Sequence, residues 1–228
     1  TEPASTNPAL AEKALVIHNR LMVLYGAPEW RLALSAIDEL VSTILSQNTN
    51  DKNRDVAFIA LKQSFPDWDD VLTADPQAVI EVIRPAGLAN QKGPRIQAVL
   101  QQIKAERGSL DLSFLKDVPI EKAMDWLTGF KGVGPKTASI VLLFSLGIPA
   151  FPVDTHIYRV SGRLGLRPEK MTVEQAHPHL AALFPPDEYG PVHLNLIRLG
   201  REICHARKPN CAACPLTDVC DFYQTNNP

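Results

Sequence analysis

Cysteine is missing from the first 203 residues of this 228-residue chain, so nothing upstream can pair with the four at its end. A disulfide framework is not expected, because two bridges inside so short a stretch do not suit a reducing compartment. Long hydrophobic runs are missing too. The longest, Ala138 to Phe151, is interrupted by Ser139, Ser145, Gly147 and Pro149 and is too short to span a membrane. The opening TEPASTNP has neither a basic segment nor an apolar core, so it does not read as a secretion signal. A cytoplasmic protein is expected, nucleoid-associated if the source is prokaryotic, with no membrane partner. No alternating strand or hairpin pattern appears, which leaves an all-α class. Strong charge of either sign is also absent, the net being −2.

What is present suffices for one large domain or two small ones. Hydrophobic residues make up 45%, which excludes disorder for most of the chain. Asn7 and Pro8 open a helix with Leu10, Ala14, Ile17, Leu21 and Leu24 on one face, stopped by Gly26. Ser35 starts a second helix, which runs into the abrupt polar patch Ser46 to Asn50. Asp51 is the expected cap of a third, Val56 to Phe65. Asp75-Pro76 opens another, ending near Gly87, and a longer one is expected from about Pro94 to Glu106. Pro119 opens the next. Beyond Asp154, helices are predicted at roughly 155–164, 173–184 and 191–203. Charge is uneven along the chain. Gly129 to Ala213 holds ten Lys or Arg against six Asp or Glu, while Pro28 to Thr128 holds eleven against fifteen. That imbalance supports a local basic patch only weakly.

The chain is organised around Leu127 to Arg159, LTGFKGVGPKTASIVLLFSLGIPAFPVDTHIYR. Gly129 ends a helix, and Gly132 and Gly134 are expected to take backbone angles that side chains would block. Pro135 suits the first turn of the next helix. Several N–H groups are then left unpaired, with Lys131 and Lys136 close by, an arrangement that favours a phosphate. The helix from Lys136 to about Leu146 carries the chain roughly 15 Å away. Gly147 to Val153, if extended, covers roughly 23 Å and can bring Asp154 back near Lys136. An amine at the positive end of a helix, beside a carboxylate, suggests covalent chemistry on a sugar in nucleic acid. Against this, Asp154 is a good helix cap and Lys136 reads equally as a surface lysine.

Cys204, Cys211, Cys214 and Cys220 are spaced C-x6-C-x2-C-x5-C. Zinc sites more often use two close pairs separated by a longer stretch, whereas four thiolates on one compact loop suit an iron–sulfur cubane. The spacing favours the cluster over zinc. Arg207 and Lys208 lie in the loop between the first two cysteines. They are candidate phosphate contacts, or charge compensation for an anionic cluster.

Taken together, GVGPKTA with Lys136, VDTHIYRV with Asp154 and the cysteine terminus resemble the endonuclease III family of base-excision DNA glycosylases. The resemblance runs from about Leu40 to Cys220. It implies two helical domains with a DNA-binding cleft between them. One is a bundle at 28–148 containing a helix-hairpin-helix, the other 1–27 plus 149–228 around a [4Fe-4S] cluster held by the four cysteines. It implies a monomer acting on double-stranded DNA with damaged bases or abasic sites. A damaged pyrimidine is flipped out, Lys136 attacks the sugar C1′, and β-elimination through a Schiff base cuts the strand. Asp154 would stabilise positive charge on the sugar or shuttle protons. By similarity, Gln47 would enter the space of the flipped nucleotide and Leu88 would wedge into the opposite strand. The competing readings are an exposed loop amide and a core leucine. Lys131, Gly132 and Gly134 would grip phosphate, and His156 would contact DNA or play a structural part near the cleft. Asn50 stands where relatives often carry Asp.

Two alternatives compete with this resemblance. An adenine-mismatch glycosylase would lack the hairpin lysine and carry a glutamate where this chain has Thr43. A non-catalytic damage-binding iron–sulfur protein would need neither Lys136 nor Asp154.

Overall fold

The computed structural model describes residues 7–28 and 34–226. They form helices α1 (Pro8–Tyr25), α2 (Ala36–Ser46), α3 (Asp51–Ser64), α4 (Trp68–Thr73), α5 (Pro76–Val82), α6 (Ala89–Arg107), α7 (Ile120–Thr128), α8 (Pro135–Leu146), α9 (Thr155–Arg163), α10 (Val173–Ala181), α11 (Tyr189–Glu202) and α12 (Asp221–Asn226). Among the described residues there is no strand. The all-α expectation holds. The chain splits into two compact units, Ala33–Ile148 and Thr1–Leu32 with Pro149–Pro228.

In the first unit α2 is the core. Eight of its residues, including Leu40, Ile44 and Leu45, are buried, and it packs on α8, α3 and α6. Its apolar residues recur in pairs every four positions, a broad stripe that gains by being enclosed in this way. Each fully buried Leu or Ile contributes about 1.5–3 kcal/mol. Its N-cap Ser35 accepts a hydrogen bond from the Asp38 amide at 3.2 Å.

The second unit packs α9 and α1 on α11. The extended segment 149–153 is held by two buried histidines that no local sequence pattern marks. His177 Nδ1 lies 2.9 Å from the Phe151 carbonyl and His193 Nδ1 lies 3.0 Å from the Pro152 carbonyl. A carbonyl only accepts, so both Nδ1 atoms carry the proton. Burial keeps the His177 imidazole below its ordinary pKa.

Several local expectations are corrected. Asn50, not Asp51, caps α3, its side chain accepting from the Asn53 amide at 2.8 Å. Asn caps as well as Asp, so its presence there keeps the helix start intact. The helix α6 begins five residues before Pro94, which lies inside it. Its start carries no side-chain cap, because Leu88 occupies that place in the left-handed conformation (φ 51°). Helices α4 and α12 were not anticipated.

Candidate functional site

The unit Ala33–Ile148 brings the hairpin, the Gln47 loop and Leu88 into one network. Gly129 ends α7 with φ −65°, an ordinary right-handed value. Gly134 has φ −97° and ψ 179°, extended backbone that any residue adopts. Gly129 ends the helix as expected, while Gly134 corrects the expectation of a special angle. Only Gly132, with φ +87°, needs glycine, and a Cβ there would also meet Arg95 Cδ at 2.4 Å. Pro135 sits in the first turn of α8 as expected. The amides of Gly132, Gly134 and Lys136 donate to no described backbone carbonyl. Lys131 is exposed and Lys136 half-buried, and neither forms an ion pair or side-chain hydrogen bond with a described residue. The arrangement is an open turn of unpaired N–H donors flanked by two free ammonium groups.

Gln47 is half-buried and bonded at both ends of its amide. Its Nε2 donates to the Gly132 carbonyl at 3.0 Å, and Arg95 Nη1 donates to its Oε1 at 2.9 Å. Leu88 is 48% exposed. The core-leucine reading is thereby set aside, since a leucine held outward in a left-handed conformation gains nothing by burial. Thr43 is buried, and its hydroxyl donates to Glu39 Oε1 at 3.2 Å.

In the other unit, Asp154 caps α9. Its Oδ1 accepts from the Ile157 amide at 2.7 Å, while the second oxygen bonds to no described residue. One oxygen serves the fold and the other is without a partner among the described residues. His156 Nδ1 lies 3.1 Å from Arg159 Nη2, which can only donate, so a neutral His156 carries its proton on Nε2. Arg159 also donates to the carbonyls of Gly200 (2.8 Å) and Cys204 (3.0 Å). Gly200 makes room for this, because a Cβ there would stand 3.0 Å from the His156 side chain. Lys136 and Asp154 therefore stand on different units.

The four cysteines form no disulfide and line one partly open recess, with Leu199, Ile203 and Phe222 among its walls. Arg163 Nη1 stands 3.3 Å from Cys204 Sγ and donates to the His205 carbonyl at 2.7 Å, and Nη2 donates to the Ala206 carbonyl at 3.0 Å. Burial, and then the charge of the neighbouring cysteines, push the Cys214 and Cys220 thiols up. Four thiolates are therefore costly together unless a cationic centre lies among them. The donor set, soft and fourfold around a recess, fits iron–sulfur. Arg207 and Lys208 are exposed and form no ion pair with a described residue, and Lys208 sits at φ 51°.

The HhH-GPD superfamily of base excision DNA repair proteins matches residues 41–186. The iron–sulfur binding domain of endonuclease III matches residues 204–220. The endonuclease III of Sulfolobus acidocaldarius is 35% identical over 189 residues, 82% of either chain. The chain belongs to the endonuclease III family. It carries the catalytic domain of a base-excision DNA glycosylase, followed by that family's iron–sulfur binding domain. An Arabidopsis thaliana protein named as a DNA glycosylase is 39% identical over 178 residues, 78% of this chain. The match spans 60% of that relative, so its full length exceeds what this chain covers. A solved non-covalent complex of an endonuclease III with DNA is 25% identical, with a TM-score of 0.81 over 95% of this chain and 97% of that one.

Proposed function

We propose that this endonuclease III relative is a bifunctional glycosylase, removing oxidised pyrimidines from double-stranded DNA and cutting the abasic site by β-elimination. The observation that carries this reading is Lys136: a half-buried amine with no partner among the described residues, in the first turn of α8, directly after an open anion-binding turn. An amine in that position can attack the C1′ of a nucleotide whose phosphate the turn holds. The C1′–N bond breaks with its electron pair going to the base, which takes up a proton. The nitrogen on C1′ sheds a proton, the C1′–O4′ bond breaks as O4′ takes a proton up, and the nitrogen lone pair forms the iminium with C1′. Loss of a C2′ proton then expels the 3′ phosphate. The free Asp154 oxygen stabilises positive charge on the sugar and accepts the proton that the attacking nitrogen sheds.

Gln47 fills the space of the flipped nucleotide and Leu88 wedges into the opposite strand, consistent with their placement on exposed or half-exposed loops. Cys204, Cys211, Cys214 and Cys220 hold a [4Fe-4S] cluster rather than zinc. In support, they line one recess, and the iron–sulfur binding domain of endonuclease III matches the stretch that carries them. When bound, the cluster cross-links the loop that carries Arg207 and Lys208, leaving those two cations to contact phosphate. The protein acts as a monomer.

The test is Lys136→Ala with borohydride trapping on abasic duplex DNA. The variant is expected to bind the duplex and give no covalent complex. Undiminished trapping would show that Lys136 is not the nucleophile.

A further inference from the structure

Arg95 is half-buried on α6 and forms no ion pair with a described residue. Its partner is instead a neutral amide, Gln47 Oε1, at 2.9 Å. Its aliphatic stem and guanidinium lie across the backbone of Gly132, so close that a Cβ there would meet Arg95 Nε at 2.4 Å. Gln47 in turn donates to the Gly132 carbonyl at 3.0 Å. The orientation of the amide is not arbitrary, because arginine only donates and a carbonyl only accepts. One turn earlier on the same face, Lys92 donates to the carbonyls of Leu45 (2.7 Å) and Ala86 (2.8 Å), two residues before Gln47 and two before Leu88. A single face of α6 therefore holds the Gln47 loop, the Leu88 turn and the hairpin. A guanidinium kept half out of water without a carboxylate gives up solvation for little stability. That pattern points to function.

We infer that Arg95 is a positioning residue for Gln47. It aims the side-chain amide and fixes it to the hairpin before DNA arrives, so that filling the gap and gripping the phosphate occur in one register. The inference rests on the proposed role of Gln47 in gap filling.

A double-mutant cycle tests it. The substrate is a duplex carrying a tetrahydrofuran abasic analogue with 2-aminopurine opposite, read by stopped-flow fluorescence. Arg95→Met is expected to slow the fluorescence step about tenfold in the wild-type background and less than about twofold in Gln47→Ala. Arg95→Lys keeps the charge but not the planar guanidinium that lies across Gly132. It is expected to slow the step as Arg95→Met does, while binding undamaged duplex like wild type. Equal slowing by Arg95→Met in both backgrounds would overturn the inference, as would wild-type kinetics in Arg95→Lys. If Arg95→Met fails to fold, Arg95→Lys with and without Gln47→Ala completes the cycle. The wild type is also trapped with borohydride on natural abasic DNA. No trapping there overturns the functional reading and the inference with it, whereas trapping with an additive cycle overturns the positioning role alone.

Discussion

The Lys92 ammonium donates to the Leu45 carbonyl at 2.7 Å from a side chain only 1% exposed. A lysine so enclosed is tolerated because its hydrogen bonds end two helical segments, at Leu45 and Ala86. Lys92→Met keeps the volume but leaves both carbonyls unpaired. The expected loss is about 2–4 kcal/mol in denaturant unfolding. Burial, and then the charge of Arg95, hold the amine below its ordinary pKa. The unfolded chain therefore binds the proton more tightly, and wild-type stability rises with pH between the folded-state value and 10.5. That slope disappears in Lys92→Met.

Leu88 gives a prediction of the opposite sign. A left-handed leucine costs roughly 1–2 kcal/mol relative to an unstrained conformation, and glycine would remove that strain at some cost in chain entropy. Leu88→Gly is expected to leave unfolding stability unchanged or raised by about 0.5 kcal/mol. Its excision rate on damaged duplex should fall about tenfold if the side chain wedges the opposite strand. A loss of stability of roughly 3 kcal/mol, the cost of emptying a core site, would show instead that the leucine packs internally.

Glu39 sets a pH dependence. Burial raises its pKa, more than the Thr43 hydrogen bond and the nearby Arg54 lower it. The folded state then holds the proton more tightly than the unfolded state. Stability falls as pH rises from 4.5 through the folded value. Glu39→Gln keeps an acceptor for Thr43 and removes the buried charge. Its thermal midpoint at pH 7 should exceed the wild type's by on the order of 2 °C, and the gain should vanish below pH 4. Glycosylase activity should persist. Its loss would assign Glu39 a chemical role.

Arg163 supports the cysteine loop through Cys204 Sγ and the His205 and Ala206 carbonyls, and stacks over Phe222 at 4.8 Å. Arg163→Leu keeps bulk but removes every donor. Iron should leave roughly tenfold faster in the presence of a chelator, read by colorimetric iron analysis and visible absorption. Iron held as firmly as in wild type would confine the arginine to packing.

The helix starts were legible because a cap is a local event. Asn7, Ser35, Asp75 and Asp154 each bond an amide two or three residues ahead. The cysteine spacing and the order GVGPKTA then VDTH were legible for the same reason, being chemistry written along consecutive residues. Other features were not. Lys92 gave no signal of the carbonyls it meets, and its helix was expected only from about Pro94, because Leu88 offers no capping side chain. His177 and His193 gave no signal of the carbonyls they hold, 26 and 41 residues away.

Sequence alone thus determined the helical class, the chemistry of the amine, the carboxylate and the four thiols, and the turn that precedes the lysine. Tertiary structure decided what those groups rest on. It placed Leu88 outward, buried Lys92 against the carbonyls of Leu45 and Ala86, and laid Arg95 across Gly132 to hold Gln47. The physical reason is range. Caps and turns are satisfied within a few residues, whereas a buried donor finds its acceptor wherever packing brings one, with Gln47 and Gly132 standing 85 residues apart.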